Sequence, residues 1–361
     1  MIDQLLRTPL TDLVGVRHPV VQTGMGWVAG PSLVSGTANA GGLGILASAT
    51  MTHAELEKAI LEVKSRTDQP FGVNLRADAA DAPARCDLLI EHGVKVASFA
   101  LAPKPELIAK LKEHDIVVIP SVGAPKHAKK VASWGADAVM IQGGEGGGHT
   151  GNVPTTLLLP TVLDSVGIPV IAAGGFFDGR GLAAALSYGA AGVGMGTRFL
   201  LTQDSRVPEA VKQRYLAADL NGTVVTRKVD GMPHRMLRTD LVEEVEASSG
   251  VRRLLPTARR TLEFKRMSGM SWKELAVDGR SMRRDQGRTI GQMALAANTP
   301  MMLRAGLVEG DAAAGVLASG QVVGVIDDLP TCEELINRVV TQAAQELRRV
   351  QGYLVPLVHR P

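Results

Sequence analysis

Aromatic residues make up only 3% of this 361-residue chain, and there are just two cysteines. With so few rings to stack on bases, and no recognisable nucleic-acid motif, no DNA or RNA partner is expected. Cys86 and Cys332 lie far apart without C-x-x-C spacing, which rules out a disulfide framework or a cysteine metal site and leaves two buried or incidental thiols. No apolar run reaches the ~18 residues of a membrane span. Residues 1–4 also lack the charged and apolar regions of a signal peptide, so a cytoplasmic protein without membrane attachment is expected. His18, His53, His92, His114, His127, His234 and His359 show no H-E-x-x-H spacing, and no catalytic metal is expected. No G-x-G-x-x-G follows the first strand candidate, as a dinucleotide-binding fold would require.

What the chain has is apolar content, 45%, and a repeating pattern that uses it. Short buried-strand runs at 19–24, 43–47, 71–75, 94–99, 117–121, 137–142, 168–173 and 191–195 alternate with helical patterns such as 32–40, 54–64 and 106–113. Eight such units predict a closed (β/α)8 TIM barrel rather than an open sheet. Residues 8–14, with Thr8 as N-cap and Pro9 at the first helical position, predict a short helix closing the barrel floor. After Leu201 the pattern becomes helical, and it returns to barrel type in the amphipathic stretch 331–348, read as the eighth helix. The expected division is therefore a barrel of residues 1–203 and 311–361, with a mainly helical insertion, 204–310, after strand eight as a lid or substrate domain.

The stretch 138–201 carries the chemistry. Its strands end in glycine, and Gly174-Gly175 and Gly194-Met195-Gly196-Thr197 are successive exits whose backbone N–H groups can approach an anion. In an eight-stranded barrel the loops after strands seven and eight form the usual phosphate site. Asn74 and Gln142 each end a strand and put an amide, both donor and acceptor, at the barrel mouth, where the plainer alternative is helix capping. His149 follows Gly146-Gly147-Gly148 beyond the sixth strand, in the place of a general acid or base. Glu145 reads as structural or as an ion-pair partner, and Asp178 and Arg180 as helix-opening residues.

The motifs QGGEGGGHTG and GGFFDGRGLAAAL…GAAGVGMGTRF closely resemble those of the nitronate monooxygenase family of FMN-binding barrels, which includes flavin-dependent thioester reductases. The resemblance spans the whole chain and comes nearest to the flavin reductases of bacterial steroid ring-C/D breakdown. It implies FMN as cofactor, held by Thr23, Gly24, Met25, Asn74, Gln142, Gly148, Ala173, Gly174, Gly175, Met195, Gly196 and Thr197, with Ser121 a weaker contact. It also implies His149 as the catalytic residue, as a base or as a positioning and proton-handling group. The implied reaction is reduction, driven by NADH or NADPH, of an unsaturated acyl-CoA thioester with a hydroxylated bicyclic acyl group. The alternative is oxidation of alkyl nitronates with O2, and a flavin-binding accessory subunit without turnover is a third reading.

One compositional feature favours the thioester. Net charge is only +3 overall, yet residues 204–304 hold 19 Lys or Arg against 12 Asp or Glu, together with eight of the 13 methionines. Arginine pairs suit phosphates and methionines suit adaptable apolar pockets, so Arg252, Arg253, Arg259 and Arg260 are expected to grip CoA; the alternative is a solvated helical face. Gly146, where nitronate oxidisers commonly show alanine, leans the same way. Oligomeric state is left open.

Overall fold

A computed structural model describes residues 5–247, 290–311 and 313–354, leaving aside the side chains of 290–298. Arg252, Arg253, Arg259, Arg260 and the helical pattern expected over 258–267 lie outside the described residues.

In chain order the elements are α1 (Pro9–Val14), β1 (Val20–Gln22), α2 (Pro31–Asn39), β2 (Leu43–Ala47), α3 (His53–Lys64), β3 (Gly72–Arg76), α4 (Ala82–Glu91), β4 (Val96–Ala100), α5 (Pro105–Lys112), β5 (Val117–Val122), α6 (Pro125–Ser133) and β6 (Val139–Gln142). There follow β7 (Gly148–His149), α7 (Thr155–Leu163), β8 (Val170–Ala173), α8 (Gly179–Tyr188), β9 (Gly192–Met195), α9 (Thr197–Leu200), α10 (Glu209–Leu216), β10 (Thr223–Thr226), β11 (His234–Leu237), α11 (Asp240–Ala247), α12 (Ile290–Leu307) and α13 (Cys332–Gln351). Strands β1 to β6, β8 and β9 close a parallel barrel, and β9 pairs back onto β1 with Val21 opposite Gly194. This is the (β/α)8 barrel expected from the alternation.

Period-two alternation sends neighbouring apolar residues of several barrel strands into two different clusters. Ile45, Val117 and Ile119 join Val21, Val96, Met140 and Ile171 in the cluster that also takes Leu10 and Val14 of α1. Their sequence neighbours Leu46 and Val118 join Val73, Ala97 and the helix residues Leu56, Ile60, Leu89 and Ile108. Helix starts follow local chemistry. Thr8, Thr52 and Thr331 cap α1, α3 and α13 in reciprocal capping boxes with Thr11, Glu55 and Glu334, and Asp178 caps α8 through the Gly181 amide. Burial raises the Cys86 thiol pKa to about 11 and that of Cys332 to about 12, so both are inert thiols.

The chain forms two compact units. One comprises residues 1–145, 151–206 and 326–361, and the other 146–150 and 207–325. The boundaries expected from sequence lay at 203/204 and 310/311. In the barrel unit the departing and returning chain are tied together, because the Gln203 amide donates to the Pro330 carbonyl at 2.9 Å and Arg198 Nη1 to Asp328 Oδ1 at 2.8 Å. The second unit holds helices, as the sequence suggested, and also an antiparallel sheet ordered β10-β11-β7, which helical periodicity did not reveal. Its apolar cluster gathers Val229, Met236, Val242, Met302 and Val316.

Candidate active site

Within the barrel unit the strand ends bring most of the expected cofactor residues together. Most barrel-strand residues are buried, but Thr23, Gly24, Met25, Gln142 and Gly174, at or just beyond strand ends, and Asn74, in the middle of β3, are half-buried. They are closely packed. A Cβ on Gly24 would come within 2.5 Å of Asn74 Cβ, and one on Gly196 within 3.3 Å of Thr23 Oγ1 and 3.4 Å of the Met25 sulfur. The Thr23 amide donates to the Met195 carbonyl at 3.2 Å, and Gln142 lies in register with Ala173. The Asn74 side chain donates through Nδ2 to Ser98 Oγ at 3.3 Å, and the backbone carbonyl of Asn74 accepts from Ser48 Oγ at 2.7 Å. Ser121 is half-buried on β5.

The exit of β8 is built for close backbone approach. Gly174 and Gly175 have φ of 94° and 89°, a left-handed run that L side chains rarely adopt. The Gly174 carbonyl accepts from Thr155 Oγ1 at 2.8 Å, which fixes the turn. Asp178 already occupies the start of α8, so an anion here would be met by the amides of Gly174, Gly175 and the Gly196–Thr197 turn. A phosphate fits this cradle because it needs only amides and bare backbone. Glu145 accepts from the Thr155 amide at 3.0 Å and from Thr155 Oγ1 at 2.8 Å; it opens α7 and acts structurally.

The second unit contains the other cluster. Pairing of β7 with β11 sets His149 opposite His234, with ring centroids 4.7 Å apart and planes tilted by 45°. Between them Asp230 Oδ2 lies 2.6 Å from His149 Nε2 and 3.2 Å from His234 Nδ1, and Oδ1 accepts from the Met232 amide at 3.0 Å. Burial works to raise the Asp230 carboxyl pKa. Hydrogen bonds from the two imidazoles, the charge of His149 and the Met232 amide more than offset it and hold the group well below the usual carboxylate range. Gly148 belongs to this unit too, with φ of 71°. The three donor atoms lie within 4.8 Å of one another, a set that a divalent ion could also use. The sequence reading gave Asp230 no role and saw no ligand spacing at His234. Asp230 lies 81 residues from His149, and only strand pairing joins them.

The nitronate monooxygenase family model matches residues 7–87 and 82–342, and the chain belongs to that family. It is an oxidoreductase on a (β/α)8 barrel. More particularly, it is 69% identical over 342 residues to the Rhodococcus jostii (3aS,4S,5R,7aS)-5-hydroxy-7a-methyl-1-oxo-octahydro-1H-indene-4-carboxyl-CoA dehydrogenase, covering 95% of this chain and 97% of that one. It is 67% identical to the Mycobacterium tuberculosis protein of the same name, covering 95% and 98%. Among solved structures, FabK from Thermotoga maritima superposes with a TM-score of 0.77 at 36% identity, over 97% of this chain and all of that one. Among the described residues no helix is long and apolar enough to cross a membrane.

Proposed function

We propose that the protein is an FMN-dependent dehydrogenase of a hydroxylated bicyclic acyl-CoA thioester, with a nicotinamide dinucleotide as second redox partner. The observation that carries this reading is the carboxylate-backed imidazole of His149, found in a chain closely similar to two acyl-CoA dehydrogenases. A thioester acidifies the C–H beside its carbonyl, and removing that proton needs a base held in one tautomer. His149 would take the proton at Nδ1, with Asp230 holding Nε2. Bound FMN would supply the two-electron acceptor for a hydride from the neighbouring carbon, which would leave a C=C conjugated with the carbonyl. Gly174, Gly175, Gly196 and Thr197 would hold its phosphate, with Thr23, Gly24, Met25, Asn74, Gln142, Gly148, Ala173 and Met195 around the ring. The direction follows the activity named for the relatives; NAD(P)H-driven reduction, expected from sequence, is the reverse of the same step. A cytoplasmic location accords with a nicotinamide-dependent reaction.

Arg252, Arg253, Arg259 and Arg260 are proposed to bind CoA phosphates on the strength of their charge and pairing. The test is an anaerobic visible spectrum of the purified yellow protein. The saturated thioester should bleach it and NAD+ should restore the colour, while protein that stays colourless after soaking with FMN refutes the scheme. The family's own name supports a second reading, oxidation of alkyl nitronates with O2, which also uses His149 as base. Oxygen uptake with a nitronate far above the thioester rate would put that reading first.

A further inference from the structure

We infer that Asp230 is the positioning residue for His149, fixing its Nε2–H tautomer and turning Nδ1 into the proton-accepting atom. The role assigned to Nδ1 rests on the function proposed above; the pairing itself does not. Three observations support it. First, the Asp230 side chain is 4% exposed and that of His149 55%, so a buried anchor carries an accessible working ring. Second, an ionised carboxylate is acceptor-only, so the 2.6 Å contact requires the proton to sit on His149 Nε2, and a neutral imidazole then has its lone pair at Nδ1.

Third, the anchor is itself held from two sides. The Met232 amide takes Oδ1 and His234 Nδ1 shares Oδ2, and His234 is buried and fixed opposite His149 by strand register. His234 Nε2 has no partner, as a lone-pair nitrogen can tolerate when Nδ1–H donates to Asp230. Asp230 thus lies as a carboxylate between two imidazoles. A carboxylate that orients a catalytic imidazole in this way is worth orders of magnitude where it has been removed without disturbing geometry.

The experiment uses full-length, FMN-loaded protein with 15N-labelled histidine, as wild type, Asp230→Asn and Asp230→Ala. The wild type should show His149 in the Nε2–H tautomer. Both variants should lose that preference, keep flavin, and lower kcat by roughly 10²-fold or more with KM within about threefold. A wild-type His149 protonated at Nδ1 overturns the inference even if the variants misfold, as does a variant whose tautomer or kcat stays at the wild-type value. Stoichiometric zinc in the purified protein, with activity lost on chelation, would also overturn it, since a metal would then hold the three side chains. If the tautomer behaves as inferred but no acyl-CoA is turned over, the positioning role stands and the proposed function fails.

Discussion

His149 is proposed as the reacting group partly because three glycines precede it beyond a strand end, and such an approach serves a reacting group better than a packing one. Replacing it with alanine should leave flavin bound and lower turnover by roughly 10²- to 10⁴-fold, measured by steady-state kinetics on the yellow variant. Loss of colour would make it a cofactor ligand instead. His18 presents the opposite case. It is fully buried with no partner on either ring nitrogen, and burial, with the Arg17 charge adding to it, lowers its pKa from 6.5 to about 4. In the unfolded chain His18 takes up a proton below about 6.5, whereas the folded protein resists until about 4, so acidification favours unfolding. This one group should cost about 1.4 kcal/mol of stability per pH unit across that window. Urea titrations at pH 7 and pH 5 should show the decline, and His18→Leu should remove this part of it.

Strands and helix starts were readable because their signals are local. The T-x-x-E pairs at Thr52 and Thr331 are capping boxes in the structure, and the barrel strands are apolar runs bounded by glycine or proline. The sheet β10-β11-β7 was not readable. Its strands are four, four and two residues long, too short for alternation to register, and their meaning lies in a pairing between distant segments. The glycine exit after β8 yields a sharp expectation at this level. Gly175→Asp would force a side chain into a left-handed position whose Cβ lies 3.6 Å from Glu145 Cβ, adding a second negative charge beside the proposed phosphate cradle. Purified Gly175→Asp should be colourless and gain no flavin absorbance on soaking with FMN, while its far-UV circular dichroism stays that of the wild type.

Across the whole molecule, the uneven charge was visible by counting, but the grouping of residues 146–150 with 207–325 was not, because it depends on contacts rather than order. If the basic insertion grips CoA, removing charge at Arg252 and Arg253, or at Arg259 and Arg260, should raise KM for the thioester about tenfold and leave flavin reduction by NADH unchanged. Uniform binding energy appears in KM alone, and the effect should shrink as salt rises. Equal KM in variant and wild type at low salt would remove these arginines from substrate binding.

The hydrogen bond between Gln203 and Pro330 lies within the barrel unit, close to where residues 207–325 leave and rejoin it in sequence. Arg206 and Ile326 lie three and four residues beyond that hydrogen bond, so an extended chain could separate them by no more than about 30 Å, and a linker of about nine residues would bridge them. A barrel with residues 207–325 exchanged for such a linker should melt cooperatively and bind FMN, yet lack thioester turnover, having lost Asp230 and His234. A colourless or insoluble product would show that barrel and insertion fold as one. If the excised barrel stands, lineages could have exchanged whole substrate-reading modules on an unaltered flavin-holding base.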